Sequence, residues 1–532
     1  MLIDLDLGGP ERLSADVAII GAGAAGLTMA RRLLDGGLSV VLLESGGLDY
    51  EKATADLNVG ENVGQDYYDL DHARLRFFGG TTAIWGGRCA ELDPIDFERR
   101  PWVPHSGWPF SHAELQPYYR QAWASFGLQP PTSADLRDVL PAFSNDELVT
   151  PIWSFDNQGD RFSFARSKDL ARHPHATVVT HATVREIVSG TAGRHVEGLA
   201  VASLRGHQLQ VKAQTYILAA GGIENPRILL ASQRVHPAGI GNDNDLVGRF
   251  FMEHPHARGG RVVDGAAWKL LSAFGKRRHA GRNVAALIAP SAALQSKEGL
   301  LNTSLTIAPS RPTEGRHAWA MRAYLHAKHR ADPTRVGRAL WKGVKRTVHA
   351  AQKVVDPVRP WLLHKTGQLD LALFVRAEQA PNPDSRVVLS RETDALGVPR
   401  VALDWRTVPL DVDSVSGLVS AVGRELSRLQ WGDVEAAPWL KHKAREWVTD
   451  PLISTHPIGG YHHMGTTRMS ADAKTGVTDG FGRVHGMANL YIAGSSLFPT
   501  SGWANPTLTL VALAMRTADH ILGDRARQPQ AA

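Results

Sequence analysis

The stretch Asp16-Val17-Ala18-Ile19-Ile20-Gly21-Ala22-Gly23-Ala24-Ala25-Gly26-Leu27, continued through Leu34 and Ser39–Leu43 to Glu44, decides the fold. Asp16–Ile20 is a short apolar run that reads as a buried strand. Leu27–Leu34 has helical composition, Gly36-Gly37 stop that helix, and Ser39–Leu43 reads as a second buried strand ending at Glu44. Strand, glycine turn, helix and strand within about 30 residues make a dinucleotide-binding unit. The spacing of Gly21, Gly23 and Gly26 supplies a tight turn, a close backbone approach to a pyrophosphate and close helix–strand packing. Ala24 and Ala25 open the helix, whose N-terminal N–H groups and positive dipole end face the phosphates. Glu44 stands where an acid can bond a ribose 2′-hydroxyl. An acid there disfavours NADP, whose 2′-phosphate it would repel.

Further pieces of the same sheet follow along the chain. Thr215–Ala219 runs into Ala220-Gly221-Gly222 and a helix-like Pro226–Ser232. Leu490–Ala493 runs into Gly494, and Pro506–Asp519 reads as a helix with proline at its start. Between them, Val262–Val412 alternates apolar and polar residues around Leu300–Ile307, Leu369–Arg376 and Arg386–Ser390, with turn signals such as Asn382-Pro383-Asp384. That pattern predicts a mostly antiparallel sheet laid against the nucleotide-binding part. The expected class is α/β plus α+β. A Rossmann-like nucleotide domain is assembled from residues 1–110, 180–260 and 460–525, and a substrate domain from 111–179 and 261–459.

Composition bounds the function. The chain has 532 residues, 43% hydrophobic and 21% charged, enough for a large core and inconsistent with extensive disorder. One cysteine, Cys89, excludes an intrachain disulfide, a multi-cysteine zinc site or an iron–sulfur cluster held by this chain alone, and no metal is expected. Met1–Ala15 has no basic n-region, and neither Val17–Ala30 nor Val484–Met515 reads as a spanning helix. The expectation is a soluble, cytoplasmic protein. A GxSxG nucleophile elbow and an HExxH zinc motif are both missing from the sequence.

Three blocks go beyond a generic dinucleotide fold: Gly21–Gly26 with Glu44; Phe78–Arg88 (FGGTTAIWGGR); and His462–Met469 (HHMGTTRM), with Gly494–Thr500 (GSSLFPT) and Ala504–Thr509 (ANPTLT) downstream. Together they resemble the glucose–methanol–choline (GMC) flavin oxidoreductases, nearest to the bacterial sugar-dehydrogenase and pyranose-2-oxidase-like branch. Leu218–Leu230, Gly248–Pro255 and Glu378–Val387 fit the same resemblance, which spans most of the chain apart from residues 310–365. It implies FAD as the bound cofactor. It places FAD contacts at Gly79, Gly80, Thr81, Thr82, Trp85, Gly86 and Gly87, at Val184, Ala220 and Gly221, and at Gly494, Ser495, Asn505, Pro506 and Thr507, beside the Gly21–Glu44 unit. Glycines at 79–87 let backbone lie flat against a flavin, where a Cβ would intrude. Some members bond the flavin covalently through a histidine of this loop. Ile84 takes that place here, so non-covalent FAD is expected.

The resemblance also makes His462 the catalytic histidine and Asn505 its partner. A neutral imidazole can take the hydroxyl proton of an alcohol, and an amide beside it can hold the oxygen in line for hydride transfer to flavin N5. His463 is the rival if the register slips by one. His254, His256 and His456 read as structural or pocket-lining. The branch points to a sugar, glycoside or polyol as the small-molecule alcohol, with aryl and lipid-linked alcohols as alternatives. The electron acceptor (oxygen, a quinone or a protein) is left open. A non-catalytic flavin-binding protein is the rival from another class.

The family pattern leaves residues 322–365 unexplained. Eleven Lys/Arg stand there against Asp332 and Asp356, so the segment carries the chain's formal excess of +6 by itself and the remainder is slightly acidic. Val336, Leu340, Val344, Val348, Ala351 and Val355 recur at helical spacing. A lid or oligomer-contact helix is one reading. A peripheral contact with an anionic membrane or an anionic substrate is the other. Nucleic acid is not expected.

Overall fold

The computed structural model describes residues 1–132, 145–279, 281–310, 332–340, 358–449 and 460–527, with single positions 319, 323, 343 and 347. The opening unit forms as its sequence predicts. Strand Arg12–Ile20, helix Ala24–Asp35 and strand Val40–Leu43 follow one another, and the strands pair in parallel with Val17 opposite Val40 and Ile20 opposite Leu43. Ala18, Ile19, Val41 and Leu42 are all buried. Covering both faces of a parallel sheet makes such strands continuous apolar runs rather than alternating ones.

This pair sits inside an eight-stranded sheet. Leu2–Asp4, Ala176–Thr180, Val40–Leu43, Arg12–Ile20 and Gln208–Leu218 run parallel across it. Gln208–Leu218 is long enough to serve two partners. Its first half pairs antiparallel with Val196–Ala202, and its last three residues pair in parallel with Leu490–Ile492. Residues from both ends of the chain thus meet in one sheet, and helix Thr507–Arg527 packs on helix Ala24–Asp35 with Arg32 paired to Asp519 at 2.6 Å. The expected boundary at residue 180 is late: Ala176–Thr180 lies within this sheet, between Leu2–Asp4 and Val40–Leu43. Five residues, four of them β-branched, carry no glycine turn that would announce a sheet strand.

The second sheet is antiparallel, in the order Ser304–Ser310, Asp370–Arg376, His256–Val263, Asp433–Ala436. The long helix Pro409–Arg428 buries Val415, Leu418, Val419, Val422 and Leu426 in the core that this sheet shares. The alternating segment Arg386–Thr393 does not join it. It pairs with Pro399–Asp404, and that hairpin takes Glu61–Asn62 as a third strand. A smaller sheet sets Arg88–Cys89 beside Ile152–Phe155 and then Arg282–Ala286. Cys89 is buried there, and burial pushes its thiol up to about 12, so it is inert.

Of the basic segment, residues 335–340 are helical, and Val336 and Leu340 are 70% and 67% exposed rather than packed on the protein. The later stripe positions Val344, Val348, Ala351 and Val355 lie outside the described residues. Asp332 accepts a hydrogen bond from Tyr50 Oη at 2.5 Å, and Arg338 pairs with Asp49 at 2.6 Å. No helix among the described residues is long and apolar enough to cross a membrane.

Candidate active site

A cavity of about 590 Å³ is walled by segments from both ends of the chain. The glycine loop contributes Gly21, Gly23, Ala24, Ala25 and Glu44. The second loop contributes Gly79, Gly80, Thr81, Thr82, Trp85 and Gly86. Val184, Ala220 and Gly221 join them, as do Gly494, Ser495, Asn505, Pro506 and Thr507, and His462 faces the same space.

A dinucleotide fits this wall. A Cβ placed on Gly23, Gly221 or Gly494 would meet no protein atom within 4 Å, so these bare backbones open directly onto the cavity. Gly21 shares the positive φ of Gly221 and Gly494, at +105°, but differs in its surroundings: a Cβ there would lie 2.5 Å from the Ala219 carbonyl. Helix Ala24–Asp35 starts at Gly23 without a side-chain cap, which leaves first-turn N–H groups for phosphate oxygens. Glu44 is buried, and its two oxygens accept the N–H groups of Ala22 and Gly46 at 3.0 Å each. It therefore shapes the glycine loop as well as facing the cavity, and burial raises its carboxyl above the usual range.

Neither Gly26 nor Gly87 lines the cavity, Gly26 in keeping with the packing role its spacing predicts and Gly87 in place of the flavin contact expected of it. A Cβ on Gly26 would stand 2.0 Å from Gly21 O, and one on Gly87 2.3 Å from Asp156 O. Both glycines serve close packing, of the helix start on its own turn and of the loop on strand Ile152–Phe155. Ile84, 41% exposed, lines the cavity and offers no atom that could bond a flavin.

His462 and Asn505, 43 positions apart, meet here, with Asn505 Nδ2 at 3.0 Å from His462 Nε2. His462 Nδ1 lies 2.8 Å from His254 Nδ1, and His254 Nε2 lies 2.9 Å from the carbonyl oxygen of Gly502. These contacts fix the tautomers. A carbonyl only accepts, so His254 Nε2 carries a proton. A neutral His254 then offers a lone pair at Nδ1, His462 Nδ1–H donates to it, and His462 Nε2 is left unprotonated toward Asn505 and the cavity. Burial holds both rings neutral, pushing His254 down to about 4 and His462 well below the ordinary histidine value. The positive charges of Arg88 and Arg376 act on His462 in the same direction.

Glu253 ties the two histidines together. Its Oε2 accepts the backbone N–H of His462 at 2.9 Å and of His254 at 3.3 Å, and its Oε1 accepts from Tyr67 Oη at 2.6 Å. His463 approaches the same carboxyl at 3.5 Å, but this is no ion pair. Burial pushes His463 down to about 3 and Glu253 up to about 8, so both are neutral. His463 lies against Tyr67 and Phe251, while the Asn505 amide bonds His462. His456 lies outside the described residues. From the sequence His254 reads as structural or pocket-lining, without a link to His462, and neither Arg88 nor Arg376 is singled out.

Two families match the chain: the FAD dependent oxidoreductases over residues 16–238 and the GMC oxidoreductases over residues 381–514. Paromamine 6'-oxidase of Streptomyces fradiae is 26% identical over 96% of this chain and 91% of its own length. The fructose dehydrogenase large subunit of Gluconobacter japonicus is 24% identical over 97% and 99%. Among solved structures, pyridoxine 4-oxidase from Mesorbium loti superposes with a TM-score of 0.56 at 17% identity, covering 95% of this chain and 98% of that one.

Proposed function

The chain belongs to the GMC oxidoreductases, FAD-dependent enzymes that oxidise CH–OH donors, and on that footing we propose that it oxidises a secondary alcohol of a sugar, glycoside or comparable polyol with His462 as general base. The observation that carries this is the hydrogen-bond chain from Gly502 O through His254 to His462, which leaves the Nε2 lone pair beside Asn505 in the cavity of the glycine cradle. Relatives named for paromamine and for fructose support the carbohydrate class. That a base and a positioning amide stand together disfavours a non-catalytic flavin carrier.

Bound FAD supplies the hydride acceptor, and Gly23, Gly221, Gly494 and the first-turn N–H groups of helix Ala24–Asp35 would hold it. An alcohol oxygen seated between His462 and Asn505 donates its O–H to Nε2 and receives an N–H from Asn505 Nδ2. It thus exchanges the single bond between the two residues for two. Taking the proton makes His462 cationic at Nε2, and its Nδ1–H bond to the neutral acceptor His254 becomes charge-assisted. Negative charge left on the alcohol oxygen raises the hydride-donor strength of the carbinol carbon. His254 touches no substrate on this reading. It acts by positioning His462 and fixing its tautomer.

Asn505→Ala removes one hydrogen bond and the alignment it gives, not the base. Flavin reduction should slow by about 10-fold, in keeping with a single neutral hydrogen bond, with FAD content unchanged. A loss as large as that of His462→Ala would make Asn505 more than a positioning group. The flavin should leave with acid or heat denaturation, because Ile84 offers nothing to bond it; flavin that stays on the precipitated chain would refute non-covalent binding. The substrate class is tested by anaerobic bleaching of the flavin with sugars, glycosides and aryl alcohols. Bleaching by aryl alcohols alone would overturn the carbohydrate assignment.

A further inference from the structure

Most buried arginines around the cavity are neutralised. Arg74 and Arg227 pair with Glu224 at 2.7 and 3.3 Å, Arg227 also with Asp394 at 2.7 Å, and Arg100 pairs with Glu378 at 2.5 Å. Arg88 and Arg376 are not. Among the described residues neither has an ion-pair partner. Arg88 Nε, Arg376 Nη1 and the indole Nε1–H of Trp153 are buried donors with no acceptor.

The three belong to one cluster. The Arg88 guanidinium lies 5.1 Å and that of Arg376 4.7 Å from the centre of the Trp153 ring. Arg88 also reaches the Phe155 ring at 5.8 Å, and Lys276 Nζ stands 4.0 Å from that same ring. Arg88 lines the cavity that holds His462 and Asn505. Arg376 is the cross-strand partner of His256, two residues from His254. Burial lowers the pKa of all three cations, and Arg88 lowers those of Arg376 and Lys276 further by repulsion. Charges of one sign, partly desolvated and with donors unpaired, are costly unless a ligand compensates them. A group rich in acceptors and negatively charged meets that need, and guanidinium suits carboxylate and phosphate oxygens.

We propose that Arg88, Arg376, Lys276 and Trp153 Nε1–H form a subsite for an anionic group, a carboxylate or phosphate, carried by the alcohol substrate. This rests on the reading of His462 and Asn505 as the place where the alcohol is oxidised. Arg88 makes the direct contact at the cavity wall, with Arg376 and Lys276 adding charge from behind it. The anion would also offset the repulsion that Arg88 and Arg376 exert on protonated His462, so the correct substrate would raise the basicity of its own base. A cationic amino sugar would be repelled.

The test uses FAD-loaded enzyme and two readouts. Anaerobic flavin bleaching is compared for glucose, glucuronate, glucose 6-phosphate and glucosamine, and binding of acetate and inorganic phosphate is followed by calorimetry. One of the two anionic sugars should react with a second-order rate constant about 10- to 100-fold above that of glucose, the worth of charge-assisted bonds. Which one does so separates carboxylate from phosphate. Arg88→Gln should abolish that preference and anion binding while FAD affinity stays unchanged; Arg376→Gln should weaken both, and Arg376→Lys should restore them in part. Equal rates for neutral and anionic sugars, no binding of either anion to the wild type, or an Arg88→Gln variant that loses FAD affinity instead would overturn the subsite. Anion binding without bleaching by any sugar would leave the subsite standing and refute sugar oxidation.

Discussion

Replacing His462 by alanine should leave the enzyme loaded with FAD and slow anaerobic flavin reduction by about 10²- to 10⁴-fold, the usual worth of a general base. The residue lines the cavity, yet its backbone is held independently by Glu253, so the fold and the glycine cradle should survive the change. Rapid-mixing absorbance of the flavin measures the effect directly. A rate equal to wild type would remove His462 from the reaction and return the role to His463, whose neutral ring lies among Tyr67, Phe251 and Glu253.

His254 should matter, though less, without touching the alcohol. In His254→Phe, His462 Nδ1 loses its acceptor at 2.8 Å, and the ring is free to place its proton on Nε2, the tautomer that cannot act as base. Flavin reduction should fall by about 10- to 100-fold, between the loss of one hydrogen bond and that of the base, while KM changes little. His254→Asn, which can keep an acceptor in reach, should recover part of the rate. A purely structural role would instead lower FAD content or thermal stability, with no difference between Phe and Asn in the pH profile.

The parts of this protein that are local in the chain were legible in its sequence. The Gly21–Gly26 turn, its flanking strands and Glu44 lie within one short stretch, and period and glycine spacing suffice to place them. Ala176–Thr180 was misplaced because a short parallel strand is recognised only by the neighbours that bury it. His254 was read as structural or pocket-lining but not joined to the base for a related reason: it lies 208 positions from His462 in the chain, and nothing in Glu253-His254-Pro255 states which ring its Nδ1 will meet. Arg88 was within a quoted block, but that it lacks a carboxylate partner while Arg74 and Arg100 have theirs is a property of packing alone. Gly26 was legible as a packing glycine from its spacing, whereas Gly87 was read as a flavin contact from its block and the position its Cβ would take assigns it to backbone packing.

The pH dependence of anaerobic flavin reduction tests the assignment of His462 as a neutral, buried base most directly. Burial and the nearby Arg88 and Arg376 depress its pKa well below 6.5, so the base form persists as the solution is acidified. The rate constant should be level through neutral pH, fall only on acidification well below 6.5, and lose that inflection in His462→Ala. An inflection at or above the ordinary histidine value, or one that persists unchanged in His462→Ala, would contradict the account.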